Sequence, residues 1–475
     1  MNQSPESIQH LSKRSNSLLL ILTVFFCTFF IYRDFGIRML AGYTVMGLIF
    51  MWHLFHRIRQ NVPVHTGCVK WILVALNVAL LVQFIRPASS HNADTVSFML
   101  SMLFCTALVV MAVPDENEIR RVLNFVLAAS LLVAVYIFLF ELFPDLFWNS
   151  VYHVLSPTAQ EYLTYYVPKG YGFSLGGCSY TNYVLFFGVA VCCSFFIKGR
   201  LSGKQRNVLI ASMLILFLAM VVVGRRGELL GALLCCVLLM LTQCNRRQRR
   251  ILIIWGIVLL IVGTCLFLLL MPVLRDVSFL ARYVITVESI LSGSDFTSGR
   301  GALYGIALQG FFSNPIFGVG WDQYVTLVPD SMVTSEGTVI ADAHNIYLQM
   351  LCESGIVGTI LVLFPMLYLF WHTGYQVRRL KTKDLPVASQ LSSLSFMIQS
   401  FLLLVGMFDP TFQKVFFWGF YGIAIVCLVA AMEREGYTPQ DAFGRGVVAV
   451  MTPVERLCRK LVNRMIVREK DGSDQ

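Results

Sequence analysis

The sequence predicts an all-α, polytopic membrane protein with about 12 transmembrane helices, and three observations carry the prediction. The chain of 475 residues is 57% hydrophobic and 13% charged, where a soluble domain is nearer roughly 45–50% and 25%. The apolar residues gather in blocks close to the ~20 residues of helix that cross a bilayer. With the N-terminus assigned to the cytoplasm, 27 of the 37 Lys and Arg fall in cytoplasmic segments, as the positive-inside rule requires. The net charge of +10 then reflects topology and calls for no nucleic-acid partner.

The first block, 17–32, follows Lys13-Arg14 as a signal sequence would. No small-residue cleavage site follows it, and Tyr32-Arg33-Asp34 leads directly to the block at 37–54, so it reads as a retained first helix. Further spans are expected at 69–85, 93–113, 119–141, 182–197, 207–223, 227–243, 251–271, 345–371, 386–408 and 412–432. The cytoplasmic turns between them hold Arg57, Arg59 and Lys70, then Arg120-Arg121, then the basic runs 198–206, 246–250 and 378–383. The organisation is a transmembrane domain over 1–432 and a basic cytoplasmic tail over 433–475, both termini inside. In the tail, Thr452-Pro453-Val454-Glu455 has the form of a capping box with proline at the first helical position. Val454, Leu457, Leu461 and Met465 follow at helical spacing among arginines and lysines. Such a helix suits either an anionic leaflet or the cytoplasmic loops. Nearly all of the 13 cysteines lie in spans or on the cytoplasmic side, with only Cys178 in an outer loop, so no disulfide framework is expected.

Two outer segments are too long to be turns, 142–181 and 272–343, the latter between the ninth and tenth spans. In the second, a helix is expected from Ser298-Gly299-Arg300 to about Phe312, with Tyr304, Leu308 and Phe311 on its apolar face. Asn314-Pro315 ends it, Gly318-Val319-Gly320-Trp321 makes a turn, and a further helix starts near His344.

Ten basic residues remain on the outer side, against the topology rule. Arg33, Arg38, Arg86 and Lys414 end short connections and are expected to snorkel. Lys169, Arg225, Arg226, Arg275, Arg282 and Arg300 form a set that favours an anionic ligand, although any one of the arginines taken alone reads first as structural. Arg225 and Arg226 occupy the tight turn Gly224-Arg225-Arg226-Gly227, and a guanidinium is suited to bidentate contact with phosphate oxygens. Arg300 sits in the first turn of its helix, where the dipole favours an anion over a cation. His344, at the membrane re-entry, is either a hydrogen-bonding helix cap or, as a neutral imidazole beside an arginine-held anion, a general base. Glu353 is the one acid clearly inside a span. It reads as a functional carboxylate or as a hydrogen-bond partner for a helix that Gly355 and Gly358 let approach. No His/Cys/Asp/Glu cluster on the outer side has metal-ligand spacing, so neither metal nor cofactor is expected.

The pieces Arg225-Arg226-Gly227, Ser298-Gly299-Arg300, Asn314-Pro315-Ile316-Phe317-Gly318-Val319-Gly320, His344-Asn345-Ile346-Tyr347-Leu348 and Glu353-Ser354-Gly355-Ile356-Val357-Gly358, in this order and placement, resemble the O-antigen ligase/polymerase family of bacterial envelope glycan enzymes. The resemblance implies a metal-independent membrane glycosyltransferase in the bacterial inner membrane, its active site facing out. The donor would be an undecaprenyl-pyrophosphate-linked glycan and the acceptor a glycan or lipid hydroxyl. Carried over by position, Arg226 and Arg300 would hold the pyrophosphate, with Arg225 as a helper, and His344 would take the acceptor's proton. Membrane lipids are implied partners, and other polysaccharide assembly proteins are candidates. Polymerisation of repeat units and ligation to lipid A core both fit these motifs. A transporter or lipid-linked oligosaccharide flippase is the reading from another class, set against it by the scarcity of charge inside the spans.

Overall fold

The computed structural model describes residues 18–28, 68–87, 93–112, 116–175, 177–197, 201–293, 300–329 and 342–437, with a few short pieces between them. The longer helices are α1 Leu18–Cys27, α2 Cys68–Ile85, α3 Ala93–Met111, α4 Glu116–Leu142, α5 Pro157–Tyr166, α6 Cys178–Phe196 and α7 Gly203–Val223. They continue as α8 Arg226–Gln243, α9 Arg246–Leu274, α10 Ser278–Ser292, α11 Arg300–Ser313, α12 Ile346–Leu380, α13 Pro386–Val405 and α14 Val415–Glu435. No strand occurs among the described residues, and the fold is all-helical. Eight helices are long and apolar enough to cross a membrane: α4, α6, α7, α8, α9, α12, α13 and α14. The other expected spans fall on α1, α2 and α3 or, for 37–54, largely outside the described residues. The basic tail helix expected from 452 also lies outside them, isolated positions apart.

The bundle is organised around α6, α13 and α14, which are buried along most of their length. Apolar lipid tails give no hydrophobic drive for one helix to bind another, so close packing and inter-helical hydrogen bonds must supply it. Both are present. A side chain at Gly188 in α6 would lie 2.6 Å from Ser130 Cβ in α4, and the Ser130 hydroxyl donates to the Val184 carbonyl at 2.7 Å. Phe186 of α6 stacks on Phe401 of α13 with ring centroids 3.9 Å apart. By contrast α9, the most apolar of the eight, runs along the periphery beside α10.

The two long outer segments are built rather than open. Segment 142–181 contains α5, capped by Ser156, whose hydroxyl accepts from the Ala159 amide. Segment 272–343 contains α10 as well as the expected α11. The buried face of α11 differs from the expectation: Leu303, Ala307 and Gly310 face inward, while Leu308 is exposed and Tyr304 half-buried. Small residues decide this, because a Cβ at Gly310 would lie 2.5 Å from the Cys352 sulfur of α12.

The segment after α11 docks into a break in α12. At Gly355 (φ 62°, ψ −168°) the helix leaves helical geometry, in a region essentially restricted to glycine. Two rungs of the helical ladder are thereby opened, and the 315–320 segment closes both. Val319 and Gly320 donate to the carbonyls of Cys352 and Glu353 at 2.9 Å each. Ile356 and Val357 donate in turn to Pro315 and Ile316 at 2.9 and 3.1 Å. The two amides and two carbonyls released by the break all find partners, the condition for irregular backbone at membrane depth. Arg86 donates to the carbonyls of Phe317 and Gly318, clamping the same segment, and Lys414 pairs with Asp409 at 2.5 Å. Neither basic residue snorkels freely as expected; Arg33 and Arg38 lie outside the described residues.

Candidate functional site

Gly224 ends α7 in the left-handed region (φ 78°). A Cβ there would sit 3.2 Å from the Gly170 carbonyl oxygen, so the turn is held against the loop after α5. Arg225 is extended at the N-cap of α8, and Arg226 is its first residue. Arg300 is the first described residue of α11, and its Nη1 donates to the Phe408 carbonyl at 3.3 Å. Arg282 comes from the second turn of α10. These four arginines, with Tyr171 and Tyr304, line a single cavity of about 350 Å³. Its wall includes the amino end of α8 and the first described turn of α11, where the helix dipoles add to the positive potential. Cations placed at two helix amino ends are self-repulsive, and an anion in the cavity relieves that.

The four arginines are not equivalent. Arg225 is half-buried and its Nε lies 4.0 Å from Oε1 of the buried Glu228, an ion-pair distance without hydrogen-bond geometry. Burial disfavours its charge, but Glu228, Tyr162 and Asp409 outweigh that and hold its pKa well above the ordinary arginine value. Arg282 places its guanidinium carbon 3.3 Å from the ring centroid of Tyr171. Burial pushes its pKa down to about 10 against the pull of neighbouring tyrosines, and the like charge of Arg300 adds to the fall. Its Nη1 is buried with no hydrogen-bond partner. Among the described residues, Arg226, Arg282 and Arg300 have no carboxylate at ion-pair distance, although Arg225 and Lys414 do.

His344 is not in the cavity wall but beside it. It adopts φ +50°, a rare conformation for a residue with a Cβ. The helix-cap reading belongs instead to its neighbour: the Asn345 side chain accepts from the amides of Tyr347 and Leu348 at 3.1 and 3.2 Å. The imidazole therefore carries no capping duty. Its Nδ1 lies 3.0 Å from Asp342 Oδ1, a close contact short of hydrogen-bond geometry, and the same oxygen accepts from the His344 amide at 3.1 Å. Burial holds its pKa below the ordinary imidazole value, Asp342 and Asp409 pull it upward, and Arg300 and Lys414 press it down. The ring is therefore neutral at pH 7, the state a general base requires. Asp409, beside the Phe408 carbonyl that holds Arg300, completes the surroundings. Burial would raise its pKa, but Lys414 and Arg225 keep it ionised.

Glu353 has a structural account. Its Oε1 accepts from the Tyr324 amide at 3.3 Å and from Gln349 Nε2 at 3.1 Å, deep beside the helix break. Of the six outer basic residues read as a set, Arg225, Arg226, Arg282 and Arg300 converge. Lys169 instead lies over the ring of Tyr165, and Arg275 pairs with Glu288 at 3.6 Å. Asp342, Asp409 and Tyr171 escaped the sequence reading. Asp342 has a visible signal, an acid two residues before the histidine; the other two are brought in from distant segments. Among the described residues no group of three or more His, Cys, Asp or Glu could hold a metal ion.

Residues 211–363 match the family model described as O-antigen ligase. The match runs from within α7 into α12 and takes in all four arginines, Asp342, His344 and the helix break. No curated protein matches the chain.

Proposed function

We propose that this multi-pass membrane chain, which across residues 211–363 belongs to the O-antigen ligase/polymerase family, is a glycosyltransferase. It moves an undecaprenyl-pyrophosphate-linked glycan onto an acceptor hydroxyl, polymerising repeat units of a surface polysaccharide. The observation that carries this reading is the convergence of Arg226, Arg282 and Arg300 on one cavity, with Arg225 in its wall against Glu228 and the His344 imidazole alongside. In the reaction the acceptor oxygen attacks the anomeric carbon and its proton passes to His344. The bond from that carbon to the phosphate oxygen breaks, and its electron pair leaves with the pyrophosphate. Guanidiniums fixed around the departing group stabilise charge that grows only as the bond breaks. Asp342 orients the ring from the Nδ1 side, leaving Nε2 to take the proton.

About twelve spans, cytoplasmic termini and an outward-facing cavity complete the proposal, supported by the distribution of Lys and Arg along the sequence. No step needs a metal ion. The family's description favours a second reading, in which the acceptor is lipid A core rather than a growing glycan. The test is purified protein in chelator, given a lipid-linked repeat unit alone or with a lipid acceptor. Longer glycans from the repeat unit alone support polymerisation, and transfer only when the lipid acceptor is added supports ligation. Movement of donor across vesicles with no new glycosidic bond would overturn both.

A further inference from the structure

Charge is unevenly balanced around the cavity. Arg225 faces Glu228, and Lys414 is taken by Asp409. Arg226, Arg282 and Arg300 stand uncompensated among the described residues, three positive charges on one volume of about 350 Å³. Arg282 is the least expected of them. It is the fifth residue of the 15-residue α10, in its second turn, and its Nη1 is buried with no hydrogen-bond partner among the described residues. A buried unpaired N–H on a charged group is costly unless a ligand satisfies it. Tyr171 fixes the guanidinium from one face, which leaves its edge N–H groups as the available donors.

We propose that Arg282, held on Tyr171, is the third guanidinium of the pyrophosphate site, while Arg225 is an internal counter-ion of Glu228 and not a ligand. The inference rests on the glycosyltransferase reading above and adds a charge match to it. A pyrophosphate linked at both ends, to lipid and to sugar, carries roughly −2, and the prenyl pyrophosphate released by transfer carries roughly −3 at neutral pH. Three free guanidiniums complement the leaving group better than the donor. Arg282 therefore acts in the differential binding that accelerates transfer, and the site retains the spent lipid pyrophosphate more tightly than a fresh donor.

The experiment uses the full-length protein in detergent with two probes, farnesyl pyrophosphate as a monoester and its terminal methyl ester as a diester. Wild type should bind the monoester about tenfold more tightly. Arg282→Gln should weaken the monoester by about 10- to 100-fold and the diester less, so the preference collapses. Tyr171→Ala should reproduce part of that loss and Tyr171→Phe, which keeps the ring face, should not. This second pair carries the test if Arg282→Gln misfolds. Arg225→Lys should keep the preference. If wild type binds neither probe, the pyrophosphate reading of the cavity fails as a whole. If wild type prefers the monoester and Arg282→Gln and Tyr171→Ala do so equally, only the role of Arg282 fails.

Discussion

The amide of Val319 donates to the carbonyl of Cys352 at 2.9 Å, in the place the Ile356 amide would occupy were α12 unbroken. The exchange explains why the Asn314–Gly320 and Glu353–Gly358 motifs occur together: each supplies the hydrogen bonds that the other lacks. It also anchors the segment that leads away from α11 and Arg300 to the tenth expected span.

Gly355→Ala should therefore unfold the site from a distance. The new Cβ would stand 2.4 Å from the Ile316 carbonyl oxygen at a φ of +62°, and such strain costs on the order of 3 kcal/mol. The thermal midpoint in detergent should fall and transfer activity with it. Gly256→Ala on peripheral α9, where a Cβ meets nothing within 4 Å, should leave the midpoint level or raise it slightly. Equal midpoints for the two variants would remove the interlock from the account.

Arg300→Lys should fail despite keeping its charge. An ammonium cannot hold the Phe408 carbonyl and a phosphate with the same planar fork. The loss should be about 2–4 kcal/mol of transition-state stabilisation, or two to three decades in rate. Single-turnover transfer at matched membrane levels is the measurement, and a lysine variant within threefold of wild type would contradict it.

His344→Ala should separate binding from chemistry. The arginines remain, so donor binding should survive, while transfer falls by ~10²-fold or more with loss of the base. Transfer at the wild-type rate would show that another group takes the acceptor's proton.

The pH profile gives an independent check on the same residue. Because burial lowers the imidazole's pKa in the folded protein, the neutral base persists below the ordinary value of about 6.5. Activity should hold as pH falls past that point and be lost only lower, as the ring protonates. Asp342 raises the pKa, so Asp342→Asn should move the acid limb further down. An upward move would mean that Asp342 does not act on the imidazole as charge.

Epitopes inserted after Gly293, in the turn that ends α10, should be reached from outside in spheroplasts, and epitopes after Thr382 only once the inner membrane is permeabilised. The expectation follows from the basic run at 378–383. The reverse labelling would invert the membrane orientation and put the arginine cavity on the wrong side for an envelope polymer.

The sequence by itself determined the all-helical membrane architecture, because long apolar blocks have few other ways to satisfy their backbone in lipid. It also singled out Arg225, Arg226, Arg300 and His344, since exceptions to a charge rule and residues at turns and helix starts stand out locally. What it could not give was the sorting among them. Whether an arginine is free or spent depends on what the fold sets against it: Glu228 one turn further along α8 for Arg225, Glu288 of α10 for Arg275, and, among the described residues, the face of Tyr171 for Arg282. The face of α11 was misjudged for a related reason. Hydrophobic periodicity tracks large side chains, whereas helices in a bilayer pack through small ones such as Ala307 and Gly310. The cap at α12 turned on backbone geometry, which gave the role to Asn345 and left the His344 imidazole with Asp342. Local patterns fix which residues are unusual, and only the tertiary structure, by setting distances between charges far apart in the chain, decides which of them share a site.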